Sequence, residues 1–183
     1  MIFNSEHFKI SRLKEDDALL LNKLFVSNTD RFIHYLPYTL EENTTLAGTQ
    51  QYIAKKLKAA DSNEEFVYVV HDHKSRDIIG LIILKNLDWH LKRGEFAYCI
   101  GKRFKGNGLM TEAIKAVSNY VFKEMDLDIV QIIAHKTNLP SVNVAVSANF
   151  KWKKTLRNEF MPIDNVPLHM ELYELSKISH SLL

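Results

Sequence analysis

The sequence predicts a mixed α/β fold, a central twisted sheet of parallel and antiparallel strands flanked by helices, and three stretches carry that expectation. Residues 95–134 read as strand, glycine-bearing loop, amphipathic helix and strand, a right-handed crossover that sets its two strands parallel. Residues 65–70 and 78–84 are β-rich runs joined by a polar turn, which makes an antiparallel hairpin. Residues 152–156 and 168–175 alternate around Met-Pro-Ile-Asp-Asn and form a final hairpin.

A chain of 183 residues with 46% hydrophobic residues supplies one domain with a full core. No repeat, low-complexity segment or linker divides it. A net charge of +2 is too mild to argue for a nucleic-acid partner. No run reaches the ~18 apolar residues of a spanning helix, and MIFNSEHFKI lacks an extended apolar core, so a soluble cytoplasmic protein without a membrane partner is expected. The single cysteine, Cys99, excludes an internal disulfide and a cysteine-rich zinc site. His71 and His73 lack acids or cysteines at ligand spacing and read as turn residues, so no metal is expected.

Residues 7–13 alternate as a first strand, and Lys14-Glu-Asp-Asp17 opens a helix with acids at its positive end. Leu19, Leu20, Leu21, Leu24 and Phe25 are its expected apolar face. Residues 27–43, with Pro37, Phe32, Tyr35 and Tyr38, read as a loop or broken helix. A second helix over 40–60 turns Leu46, Tyr52, Ile53 and Leu57 inward. Residues 86–93 are a polar connection to the strand at 95–100. The helix after Gly108 places Met110, Ala113, Ile114, Val117, Val121 and Met125 on one face, opposite Glu112, Lys115, Asn119 and Lys123. Residues 128–134 are nearly continuous and β-branched, as in a strand buried on both faces. A last helix follows Asn138, with Pro140 in its first turn and Val142, Ala145 and Val146 inward, and Asn149 ends it in left-handed geometry.

Arg103-Phe-Lys105-Gly106-Asn107-Gly108, between strand and helix, has the makings of an anion cradle. Gly106 and Gly108 let the backbone approach a ligand closely. The N–H groups from Asn107 through Met110 to Thr111 have no partner within the helix, the helix dipole lies behind them, and Arg103 and Lys105 add full charges. The loop lacks the GK[ST] ending of a P-loop, and its single G-x-G is not a dinucleotide fingerprint.

Arg103, Gly106 and Gly108 match the acetyl-CoA motif [Q/R]-x-x-G-x-[G/A]. Asn138, Ser141 and Phe150 match N-x-x-S-x(7)-G-F, with Asn149 in the glycine's place. With Met-Thr-Glu-Ala at 110–113, nearly the whole chain resembles the GNAT superfamily of N-acetyltransferases, in the branch of the RimJ/RimL-type ribosomal-protein N-terminal acetyltransferases. The resemblance implies the GNAT fold, in which parallel strands 4 and 5, here around Tyr98 and Ile132, splay to admit the pantetheine of acetyl-CoA as co-substrate. It places a characteristic arginine at Arg12, and it implies an amine acceptor and, often in this branch, a homodimer.

Acetyl transfer from a thioester to an amine needs an unprotonated nucleophile, oxyanion stabilisation and a proton for the leaving thiolate. A backbone N–H at Cys99, or at its neighbours Tyr98 and Ile100, suits the oxyanion. By resemblance Asn138 contacts the pantetheine arm, with a helix cap as its alternative role, and Asn143 assists. Glu95 stands where several GNAT enzymes carry a catalytic carboxylate, the alternative being a salt bridge with Lys92 or Arg93. The tyrosine that many GNAT enzymes carry seven residues after the motif asparagine is Ala145 here; the resemblance to the RimJ/RimL-type branch implies a role near the sulfur for the motif serine, Ser141, with a helix cap as its alternative role. Cys99 reads as a small buried hydrophobe, so direct transfer in a ternary complex is expected. Tyr35 and Tyr38 fall where the acceptor groove forms, and His169, four residues before Tyr173, replaces an aspartate of the branch. An α-amine, with pKa ~7.7–8.0, asks less of a base than lysine at ~10.4, which favours a protein or peptide N-terminus. A small amine such as an aminoglycoside or polyamine is the alternative acceptor, and an acyl-CoA-binding sensor without turnover is the alternative class.

Overall fold

In the computed structural model, which describes residues 1–160 and 167–180, one eight-stranded sheet is flanked by helices on both faces. The strands are β1 (Phe3–Asn4), β2 (Phe8–Arg12), β3 (Phe66–Asp72), β4 (Ile78–Asp88), β5 (Arg93–Ile100), β6 (Ile129–Ala134), β7 (Lys151–Phe160) and β8 (Leu168–Ser176). The helices are α1 (Ala18–Val26), α2 (Thr29–Tyr35), α3 (Pro37–Glu42), α4 (Leu46–Asp61), α5 (Leu109–Glu124), α6 (Leu139–Ser147) and α7 (Lys177–His180). Strand order is β1-β2-β3-β4-β5-β6-β8-β7, so β8 inserts beside β6 and leaves β7 at the edge. Among the described residues only β5 and β6 pair in parallel; the other pairings are antiparallel.

The period-2 alternation of the strands divides the core between two layers. Tyr68, Val70, Ile82, Leu84, Phe96 and Ile132 meet Ala113, Ile114, Val117 and Val121 of α5 and Ala145 of α6 on one face. Val67, Val69, Leu81, Ile83 and Cys99 meet Leu21, Leu24, Phe25, Phe32, Leu40, Tyr52 and Ile53 of α1 to α4 on the other. Arg12, held by a hydrogen bond from its guanidinium to the Tyr120 hydroxyl (3.1 Å) and lying over the Phe66 ring, joins β2 to α5.

Several expectations are corrected. The helix foreseen over 40–60 is interrupted: Pro37 begins the short α3 and Thr45 caps α4 by accepting from the Gly48 N–H. Leu19 and Leu46 are exposed, and Ala18 takes the inward place on α1. On α6 only Ala145 is buried, Val142 is partly so and Val146 faces solvent. β6 is not buried on both faces: Ile129, Gln131 and Ile133 alternate as half-exposed positions. His71 is a buried residue of β3 rather than of the turn: β3 runs on to Asp72, where His71 and Asp72 pair with Lys9 and Phe8 of β2. The Met-Pro-Ile-Asp-Asn turn lies outside the described residues.

Asn149 does end α6 in left-handed geometry, with φ 69°. The Phe150 N–H donates to the Ala145 carbonyl and the Asn149 N–H to that of Val146, each at 3.0 Å, a Schellman close in which asparagine substitutes for glycine.

Candidate functional site

The parallel register of β5 and β6 runs from Arg93↔Ile129 to Phe96↔Ile132 and stops there. Past that pair the strands part, and the edge of β5 toward β6 loses its ladder partner. A cleft of about 560 Å³ opens at the parting, and residues from both faces of the sheet line it. Glu95 and Ala97 come from the α1-to-α4 side of β5 and Tyr98 from the α5/α6 side, joined by Ile133, Ala134, Asn138 and Ser141. The parting is thus a slot through the sheet.

At the α6 end, Tyr98 spans the slot and its hydroxyl donates to the Ser141 backbone carbonyl at 2.9 Å. Burial pushes this phenol well above its ordinary range, so it stays protonated. The Asn138 side chain accepts from the Ser141 N–H at 3.4 Å, so it caps α6 while lining the slot. Asn143 is outside the lining. Cys99 is buried against the α1 and α2 side, and burial pushes its thiol up to about 12, so no thiolate forms there near neutrality.

At the other end, Glu95 is 9% exposed and both its oxygens are engaged. Oε1 is 3.1 Å from Lys85 Nζ and Oε2 accepts from Asn86 Nδ2 at 2.8 Å. The expected partners are taken elsewhere, Lys92 by Asp126 and Arg93 by Asp88. Lys85 is opposite Glu95 in the β4–β5 register, and the irregularity after it puts Asn86 at φ 51°. Neither residue was singled out from the sequence; hairpin register and the tolerance of asparagine for positive φ were the available clues. His34, Tyr35, His135 and Glu159 also line this end, whereas Tyr38 is exposed outside it. His169 lies outside too, its ring accepting from the Asn158 N–H at 3.2 Å.

The glycine loop lies at the far end of β5. A 3₁₀ turn over Lys102–Phe104 follows Gly101, and α2 pins it: Asn28 Oδ1 accepts from the Lys102 N–H at 2.7 Å and Arg31 donates to the Ile100 carbonyl at 3.2 Å. Gly106 and Gly108 have φ 86° and 74°, and a Cβ at either would meet no atom within 4 Å. Their glycine identity therefore serves backbone conformation and the open space in front of it, not internal packing. Arg103, Lys105 and Asn107 are exposed around that space, Thr111 is half-buried, and Met110 sends its side chain into the core, so only its N–H faces a ligand. An unblocked helix N-terminus with two exposed cations beside a slot suits a phosphate-bearing ligand with a narrow arm. Among the described residues no group of His, Cys, Asp or Glu could hold a metal, and no helix is long and apolar enough to cross a membrane.

Residues 7–151 match the family model described as "Acetyltransferase (GNAT) domain". A protein of Bacillus subtilis (strain 168) named "Putative ribosomal N-acetyltransferase YdaF" is 31% identical over 71% of this chain and 70% of its own. Spermidine N(1)-acetyltransferase of Escherichia coli (strain K12) is 26% identical over 50% of this chain and 53% of its own. RimL, a ribosomal L7/L12 alpha-N-protein acetyltransferase solved in complex with coenzyme A, superposes with a TM-score of 0.89 at 15% identity, covering 97% of this chain and 98% of that one.

Proposed function

Because the chain belongs to the GNAT acetyltransferase family, in its RimJ/RimL-type branch, we propose that it transfers the acetyl group of acetyl-CoA directly to the α-amine of a protein or peptide N-terminus. The cradle of Arg103, Lys105 and the N–H groups from Asn107 to Thr111 holds the pyrophosphate, and the slot past Phe96 and Ile132 takes the pantetheine arm. Acetyl-CoA supplies the activated acyl group; the protein orients it, excludes water and manages protons. Glu95 accepts the proton of the attacking amine, and the unpaired edge of β5 near Cys99 offers N–H donors to the oxyanion.

The charge of the acceptor end carries the choice of acceptor. Its two described carboxylates are Glu95 and Glu159, set among Lys85, His34 and His135, and Glu95 is already engaged by Lys85 and Asn86. Such a mixed lining gives a polycation little to pair with, while a partly neutral α-amine needs no anion cage. A polyamine is the second reading, favoured by the spermidine-acetylating relative. Thioester consumption with a panel of free-N-terminus peptides, spermidine and an aminoglycoside, with products sited by mass spectrometry, tests both. Acetylation at peptide α-nitrogen is expected, and turnover of spermidine alone would replace the peptide with the polyamine.

A further inference from the structure

We propose that the Tyr98 hydroxyl is the proton donor to the departing sulfur, a catalytic role that rests on the acetyltransferase reading above. Three observations place it there. First, β5 carries Glu95 on the acceptor face of the slot and Tyr98 on the opposite face, so one strand presents an acceptor of protons to one mouth and an O–H to the other. Second, the Tyr98 hydroxyl is at the first turn of α6, against the Ser141 carbonyl, and Ala145, one turn further, is fully buried and has no proton to give. Third, even with its pKa raised by burial, a phenol remains a stronger acid than the aliphatic O–H of Ser141, and its O–H is already oriented on that face by the Ser141 carbonyl.

The step balances without any further reactant. The C–N bond forms as the amine attacks, the C–S bond breaks, and the sulfur leaves with the bonding pair and takes the Tyr98 proton. The resulting phenolate recovers a proton from solvent while Glu95 releases the one it took from the nitrogen, so the cycle closes with no net gain or loss of protons. Burial makes that phenolate short-lived, which drives the return. The Ser141 carbonyl aims the O–H between turnovers without removing its proton, since a carbonyl is an acceptor only.

The test compares acetyl-CoA with its oxygen analogue, in which the thioester sulfur is an ester oxygen. Both fill the same cradle, but the departing alkoxide is much the stronger base and depends more on a donated proton. Wild type and Tyr98→Phe are assayed with an alanine-initiated tetrapeptide or, where the wild type prefers it, spermidine. Tyr98→Phe should lower kcat for acetyl-CoA by ~10²-fold, within the usual range for general acid catalysis, and leave its Kd by calorimetry unchanged. The deficit should be at least about tenfold larger for the oxyester, as the stronger demand for a proton requires. An equal deficit for both donors, or a loss that follows Kd, overturns the proposal. Since Tyr98 packs on the core, 3,5-difluorotyrosine in its place is the second variant: it keeps the ring and acidifies the hydroxyl, and an unchanged ratio of thioester to oxyester rates would likewise overturn the role. A wild type that acetylates neither acceptor defeats the acetyltransferase reading itself, an outcome told apart because it appears before any substitution is made.

Discussion

Phe96 and Ile132 are the last residues that hold β5 against β6. Everything proposed for this molecule depends on what happens beyond them. Two parallel strands that stay paired bury their backbone groups in each other; two that part leave an edge that a ligand's amides can pair with. On one side α6 stands across the parting, and the Tyr98 hydroxyl reaches its Ser141 carbonyl.

A few carbons added to the wall of that slot test where the pantetheine arm runs. Ala134 is 3% exposed yet lines the cavity. Ala134→Leu should weaken acetyl-CoA binding at least ~10-fold in titration calorimetry, about 1.4 kcal/mol. It should lower stability by only ~1–3 kcal/mol, the usual cost of overpacking. A variant that binds as tightly as wild type would mean that the arm does not pass Ala134.

The cradle is tested at Arg103 and Gly108. Arg103→Ala should reduce acetyl-CoA affinity and flatten its dependence on salt, because an exposed cation acts through a screened field. A Cβ at Gly108 would meet no atom within 4 Å, so the main folding cost of Gly108→Trp is the positive φ, ~1–2 kcal/mol. The indole would fill the space before the helix N-terminus, and binding should be lost while the thermal transition stays cooperative. Retained binding when Arg103→Ala and Gly108→Trp are combined would remove the phosphate from this loop.

Glu95 is predicted to act on rate more than on donor binding. Glu95→Gln keeps the shape and an oxygen for Asn86 but gives up proton acceptance, so kcat should fall ~10²-fold at unchanged Kd for acetyl-CoA. Lys85→Met frees the carboxylate from its nearest cation, 3.1 Å away. If Glu95 takes the proton, removing its Lys85 partner should change kcat while leaving the Kd for acetyl-CoA as it is. A kcat equal to wild type in both variants would make the carboxylate a structural partner of Lys85.

How far the sequence could lead is clear from these residues. The left-handed turn at Gly106 and Gly108 into α5 was legible because glycine at positive φ and a helix start are local properties, and Asn149 was legible for the same reason. What depends on register was not. Glu95 looked nearest to Lys92 and Arg93 along the chain, yet Lys85 is opposite it across the hairpin. β6 looked doubly buried because Ile129 and Ile133 are β-branched, but that composition does not distinguish a covering helix from an open slot. The insertion of β8 beside β6 likewise leaves no local mark, since a hairpin's pattern is the same whichever strand meets the neighbour.

The buried His71 predicts how stability depends on pH. Burial holds its pKa below the ordinary 6.5, the nearby Asp17 opposing that shift and Lys9 and Lys14 adding to it, while Ser11 Oγ lies 3.3 Å from its Nε2. A histidine depressed in the folded state is protonated more readily when unfolded, so its contribution is complete above about 6.5 and is lost as pH falls from there through the folded value. Asp17 works in the opposite sense: burial raises its pKa above 3.8, so the folded state takes up its proton first and regains stability at lower pH. Denaturant midpoints should therefore drop between pH 8 and the range just below 6.5, and His71→Gln, which cannot charge, should flatten that part of the curve. If the variant kept the wild-type slope, the sensitivity would have to reside in the chain's exposed histidines instead.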